Sequence, residues 1–417
     1  MTVNPSPTAV AAASPSCPYL ASTGAGSSRR ERLRLLALQL LGLALRRWSG
    51  GRPQAHGGPL RILVMRPDHL GDALFATPAL RLLRERYPSA HLGALIGPWV
   101  EPILRHGPPL DEILTCDFPW FNRHPRRSVW EPYEVLWREA QRLQTAKYDV
   151  VVNLRFDFWW GALLAHCAQI PVRLGYDVAA CRPFLTRYEP YVSHRHEVAQ
   201  NLGLVEALAT LIPPERRATA GGLEFHIQNA ESAEAARLLE AVGVGAERRL
   251  VALHPGAGAP AKRWTVEGFA ALADALADEY GVQVVLTGAA SEVELARQVQ
   301  ARSRSQPPSL AGKTDLGSLA AIFQCCHLAV GVDSGAMHLA VAAGTPTVHL
   351  FGPSDPVAFG PYGDSSQHRV VRADLPCPPC GRFQGSTEPA ECMRAITLEQ
   401  VLAAVGKVMD LNARDGQ

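Results

Sequence analysis

From Leu60 onward, short apolar runs alternate with stretches whose apolar positions recur every three or four residues. RILVMR (Arg61 to Arg66), HLGALIG (His91 to Gly97) and YDVVVNLR (Tyr148 to Arg155) read as buried strands. DALFATPALRLLRERY, from Asp72, reads as the helix after the first of them. Such alternation predicts a parallel, doubly wound sheet. The aromatic and basic stretch from Trp120 to Arg138 predicts a long surface loop leading into a helix. A Pro/Gly-rich polar segment, LIPPERRATAGGLE (Leu211 to Glu224), marks a domain boundary.

After it the pattern restarts with a helix around Ala230 to Val242, then the strand RLVALHPG (Arg249 to Gly256). The helix Thr265 to Tyr280 and the strand VQVVLTG (Val282 to Gly288) come next, then helices Ser291 to Arg302 and Asp315 to Cys326. The strand LAVGVD, a helix from Gly335 and the strand TVHLFG (Thr347 to Gly352) close the series. Residues 59–225 and 226–417 are therefore expected to form two βα domains.

The N-terminus has another character. Residues 1–28 are rich in Pro, Ala, Ser, Thr and Gly and are expected to be disordered. Residues 29–58 then hold RRERLRLLALQLLGLALRRW and a linker, SGGRPQAHGGP. Arginines follow the apolar centre and no small-residue cleavage site appears, which argues against a signal peptide. Two readings stand: a helix docked on the first domain, or a helix lying shallowly on an anionic membrane, for which the flanking arginines and Trp48 are suited.

A chain of 417 residues is too long for one ordinary core, and 47% hydrophobic with 19% charged residues describes a globular protein. A net charge of +2 gives no global attraction to nucleic acid. Nine scattered cysteines form no disulfide framework and point to a reducing compartment. No apolar run reaches the roughly 18 residues of a membrane span.

The candidate chemistry lies where strands end. In RPDHLGDALFATPAL, Gly71 and Asp72 stand at a strand-to-helix turn, where open α/β sheets bind ligands. Asp72 is read either as a base that takes a proton from a hydroxyl or as a helix cap; Asp68 is a second carboxylate with the same two readings. In HPGAGAPAKRW (His254 to Trp264), Gly256 and Gly258 let backbone approach a ligand, and Lys262 and Arg263 bring charge suited to a diphosphate. Glu292 and Glu294 in TGAASEVELA are read as ribose acceptors or as first-turn acids. In GVDSGAMHLAVAAG, the small residues and the helix start make an anion site at Asp333, Ser334 and Gly335, with His338 facing it or packed in the core. Cys377, Cys380 and Cys392, with His368 nearby, lack a clear fourth ligand. They are read as thiols rather than zinc ligands.

ILVMRPDHLGDALFATPALRLLRERYP, HPGAGAPAKRW and GVDSGAMHLAVAAGTPTVHLFGPSDP together resemble glycosyltransferase family 9, the ADP-heptose:lipopolysaccharide heptosyltransferases, from about Leu60 to Val408. The resemblance implies a GT-B architecture with two Rossmann-like domains, the first taking the acceptor and the second the nucleotide sugar. It implies an inverting reaction with no metal in the chemistry and no cofactor. Asp72 then stands as general base, Lys262 against the donor diphosphate, Glu292 against ribose or adenosine, Asp333 against the sugar. The segment Ser334, Gly335, Ala336 and Met337 forms a pyrophosphate cradle, and His338 makes a further phosphate contact. The implied partners are ADP-heptose and a lipid-linked glycan at the cytoplasmic face of a bacterial inner membrane. Rival readings are a transferase for a UDP- or GDP-sugar, and a non-catalytic nucleotide- or glycan-binding relative. An oxidoreductase is disfavoured because no G-x-G-x-x-G follows the first strand.

Overall fold

The computed structural model describes residues 29–45, 58–122, 128–245, 248–376, 379–381 and 386–414. The expected disordered segment 1–28, most of the linker, Trp48 and Cys377 lie outside them. Six strands form the first sheet: β1 (Arg61–Arg66), β2 (His91–Ile96), β3 (Glu112–Thr115), β4 (Val150–Asn153), β5 (Val172–Tyr176) and β6 (Arg187–Glu189). Five form the second: β7 (Leu250–His254), β8 (Gln283–Leu286), β9 (Leu328–Val332), β10 (Thr347–Leu350) and β11 (His368–Val371). The read series ended at β10, but β11 adds a further edge strand, paired to it from Thr347↔His368 to Leu350↔Val371.

The orders are β3-β2-β1-β4-β5-β6 and β11-β10-β9-β7-β8, every pairing parallel. Both are doubly wound. The first reverses direction between β1 and β4, the second between β7 and β9, and a crevice opens at the carboxyl ends of such strands. The central strands are buried along most of their length because helices cover both faces. Helix Glu197–Leu211 packs on helix Leu70–Arg86 in the first domain, and Asn229–Ala241 on Leu316–Cys325 in the second. The segment between them, 212–228, is mostly exposed.

Local signals explain the boundaries of the helices. Thr265 Oγ1 accepts from Gly268 N–H at 3.0 Å to start Val266–Tyr280, and Gly281, at φ +62°, ends it. Asp315 caps Leu316–Cys325 by accepting from Ser318 N–H at 2.8 Å. Helix Arg29–Leu45 docks on the first domain, with Leu38 buried among Ala162, Leu163, Cys181 and Phe184. Gly42 lies so close to Pro183 that a Cβ there would sit 2.3 Å from the Pro183 Cβ.

Among the described residues, burial lowers the pKa of five imidazoles, His196, His254, His327, His349 and His368, the last pushed down to about 4. Below about pH 6.5 the unfolded chain binds protons that these folded groups refuse, so acidification destabilises the fold. The thermal midpoint should fall between pH 7 and pH 5. His368→Asn should flatten that slope, by up to about 1.4 kcal/mol per pH unit.

Candidate active site

Arg66 ends β1, and its buried guanidinium organises the first domain's crevice. Its Nε lies 2.7 Å from Asp68 Oδ2, and its Nη2 reaches Asp72 Oδ1 at 3.1 Å and Glu197 Oε2 at 3.3 Å. Nη1 donates to the Leu154 carbonyl at 2.7 Å. Asp68 also accepts from Arg155 Nη1 at 2.7 Å, and Arg155 in turn pairs with Asp157. Burial alone would lower the Arg66 pKa, but Asp68, Asp72 and Glu197 outweigh it and raise it. One buried cation, Arg66, and one partly exposed cation, Arg155, thus face four carboxylates near the carboxyl ends of β1 and β4, the strands that flank the first reversal.

Asp72 stands at the third position of helix Leu70–Arg86, with 24% of its side chain exposed. Its Oδ2 accepts from the His69 N–H at 3.4 Å, so it caps the helix while its carboxylate still reaches the cleft. Burial would raise its pKa, yet Arg66, Arg155 and His69 outweigh that and hold it below the usual carboxylate value. The group is therefore ionised at neutral pH and able to accept a proton.

Across the cleft, Lys262 Nζ donates to Asp333 Oδ2 at 2.7 Å. Asp333 follows β9, and its other oxygen lies 3.7 Å from His338 Nε2. Burial would raise the Asp333 pKa; Lys262 and His338 reverse this and hold it far below the ordinary carboxylate value. Met337 and His338 N–H groups donate to Ser334 O, which leaves the Gly335 and Ala336 N–H groups at the open end of helix Gly335–Ala342. Ser334 Oγ is buried without a protein partner. The Met337 side chain is fully buried, pressed toward Gly331, so only its backbone belongs to the anion site. His338 is buried too, its ring 4.5 Å from Phe75 across the cleft.

Of the two candidate glutamates, Glu294 points outward and pairs with Arg297 at 2.7 Å. Glu292 is buried; it accepts from Ala289 N–H at 2.8 Å and lies 3.8 Å from His254 Nε2. A Cβ at Gly256 would sit 2.1 Å from the Glu292 carboxylate, so this glycine makes room for it. Gly258 has open space where a side chain would be.

The two crevices meet. A Cβ at Gly335 would lie 2.9 Å from Leu70 Cβ and 3.1 Å from the Gly71 nitrogen, and one at Gly71 would lie 3.0 Å from His338 Cδ2. The two helix starts therefore touch through glycines. His194 Nδ1 to Asp355 Oδ2 at 2.6 Å and His196 Nε2 to Gly360 O at 3.0 Å also bridge the domains. Gly335→Ala is expected to cost about 1–3 kcal/mol by overpacking this contact, which a lower thermal midpoint would register.

This site can be set beside known proteins. The family description "Glycosyltransferase family 9 (heptosyltransferase)" matches residues 136–390. The chain belongs to glycosyltransferase family 9. Lipopolysaccharide heptosyltransferase 2 of Salmonella typhimurium is 29% identical over 326 residues, 75% of this chain and 88% of that protein. Lipopolysaccharide heptosyltransferase 3 of Escherichia coli K12 is 28% identical over 309 residues, 71% and 83% of the two chains. The crystal structure of a family 9 glycosyl transferase from Veillonella parvula superposes with a TM-score of 0.72 at 26% identity, over 84% of this chain and 98% of that one. The E. coli ADP-heptose lps heptosyltransferase II gives 0.67 at 25% identity, over 85% and 100%.

The protein is a glycosyltransferase of GT-B architecture. The family match contains Lys262, Glu292 and Asp333 to His338, whereas Asp72 and helix Arg29–Leu45 lie before it. Sequence reading missed Arg66, Arg155 and Glu197. The first two had a visible signal, an arginine closing an otherwise apolar strand run, but Glu197 had none. Among the described residues, no three His, Cys, Asp or Glu side chains gather to hold a metal ion. Cys380 is exposed and Cys392 lies near Gly352, while His368 bonds Thr347 Oγ1 at 2.8 Å.

Proposed function

We propose that this glycosyltransferase moves heptose from ADP-heptose to a lipopolysaccharide-core or related lipid-linked glycan. The reaction is inverting and uses no metal ion in its chemistry. One observation carries the reading: Asp72 and the Lys262–Asp333 pair stand on facing strand ends, carried by two helix starts in contact. The names of the lipopolysaccharide heptosyltransferase relatives support the donor and acceptor classes.

In this scheme the ionised Asp72 takes the proton from an acceptor hydroxyl as its oxygen attacks the anomeric carbon. The bond to the diphosphate breaks on the opposite face, through an oxocarbenium-like transition state. Charge gathers on the departing ADP. Lys262, the Gly335 and Ala336 N–H groups and the Ser334 hydroxyl are placed to meet it. Asp333 keeps Lys262 in position and faces the sugar, while Glu292 accepts from ribose or the adenosine. Closure of the domains through Gly71 and Gly335 keeps water from the donor. A lipid-borne acceptor places the enzyme at the cytoplasmic face of the inner membrane.

Calorimetric titration with ADP, UDP, GDP and CDP, without added metal, tests the donor. Preference for ADP is expected, preference for another base overturns the donor, and no binding to any favours a non-catalytic relative. Gly256→Ala gives a finer check, since its Cβ displaces the flexible end of Glu292 rather than backbone. It should weaken ADP binding on the order of tenfold, the loss of about one good hydrogen bond to a charged group, and change the thermal midpoint little.

A further inference from the structure

Helix Arg29–Leu45 has two apolar stripes. One, through Leu38 and Gly42, is docked on the first domain. The other, Leu33, Leu36, Leu40 and Leu43, follows the same helical spacing on the opposite side and is 52 to 66% exposed. An apolar stripe left in water beside a docked one calls for cover of its own. Beside it, Trp130, Tyr133 and Trp137 form a second exposed stripe at the start of helix Glu131–Ala146. Trp120, also exposed, is held at φ +71°, a backbone conformation that disfavours bulky residues.

These elements share one support. Arg34 lies over the Trp159 ring at 5.0 Å, the Trp120 ring meets the same ring at a tilt of 53° with centroids 5.7 Å apart, and Leu136 packs on the cluster that holds Leu38. Trp159 begins the helix that follows Arg155 and Asp157, so this face adjoins the carboxyl end of β4 and the cleft.

We propose that this face docks on an anionic lipid bilayer, the leucine stripe lying in the interface and the tryptophans and tyrosine at headgroup level. Charge supports that occupant: the helix carries Arg29, Arg30, Arg32 and Arg34 against Glu31 alone. Aromatic side chains with one polar end suit the boundary between water and lipid. No helix among the described residues is long and apolar enough to cross a membrane, so the helix lies on the surface. Residues 1–28 offer poor cover, with Met1, Val3, Val10, Tyr19 and Leu20 as their larger apolar side chains. The docking rests on the lipid-linked acceptor only for its purpose.

The test uses the full chain, sedimented with phosphatidylcholine vesicles with and without phosphatidylglycerol. One variant combines Leu33→Ser, Leu36→Ser and Leu40→Ser; another combines Trp130→Ser and Trp137→Ser. Wild type should partition onto the anionic vesicles, and each variant should lose on the order of tenfold or more. ADP affinity, thermal midpoint and transfer to a water-soluble acceptor fragment should stay unchanged. Equal partitioning of wild type and variants, or none, overturns the proposal. So does a dimer dissolved by the leucine variant, which would make a second copy the occupant. Vesicle binding without transfer to any heptosyl acceptor overturns the proposed function and leaves the docking intact.

Discussion

Asp72→Asn should lower kcat by about 10³-fold while the fold and ADP affinity persist, because it removes the proton acceptor and leaves Arg66 paired with Asp68 and Glu197. The amide oxygen can still accept from the His69 N–H, so the helix cap survives. Single-turnover transfer with saturating donor reads the chemical step directly, and an unchanged rate would take Asp72 out of the chemistry. Its pH dependence follows from its surroundings. The folded pKa lies below the ordinary value, so the ionised form and the stability it brings are fully present above about pH 4 and are lost as acid approaches the lowered pKa. No limb of the activity profile between pH 5 and pH 8 should therefore belong to Asp72. A carboxylate held below its ordinary pKa is a weak base, which suits a late proton transfer, after the anomeric bond to the diphosphate has largely broken.

Lys262→Met should reduce kcat/KM for the nucleotide sugar by about 10²- to 10³-fold, because the leaving diphosphate loses its cation. The same change strands Asp333, which is 7% exposed and held ionised by Lys262. Breaking a buried pair costs on the order of 3–5 kcal/mol; with 23% of the Lys262 side chain in contact with water the loss should be smaller. The double variant Lys262→Met with Asp333→Asn separates the two effects. It should regain much of the thermal midpoint and none of the activity. Recovery of transfer in the double variant would mean that Lys262 serves only to neutralise Asp333.

The alternation of apolar runs with helical periodicity, read without any structure, was enough for β1, β2, β4 and β7 to β10, because a strand covered on both faces must be apolar throughout. The loops after them could be named as the place of chemistry, since parallel strands deliver their carboxyl ends to one side. The strands that escaped are β3, β5, β6 and β11, of which only β5 lies inside its sheet. β6 is Arg-Tyr-Glu and largely exposed, β11 is half exposed, and neither has a pattern that burial would impose. Asp72, Lys262 and Asp333 were legible as local motifs at strand ends.

Tertiary structure alone decided their partners. Arg66 and Glu197 stand 131 residues apart in the chain, and nothing local links them until helix Glu197–Leu211 packs against helix Leu70–Arg86. Glu292 and Glu294 look alike in sequence, but the turn beside Gly256 sends one inward and leaves the other in water. Gly335, read as space for a phosphate, proves also to be where one domain's backbone meets the other's. Helix Arg29–Leu45 shows leucine on every side, and only docking reveals which stripe is spent on the core and which remains exposed. Periodicity records that a residue is to be buried; which surface buries it depends on contacts between segments far apart in the chain, and those exist only once the domains have packed.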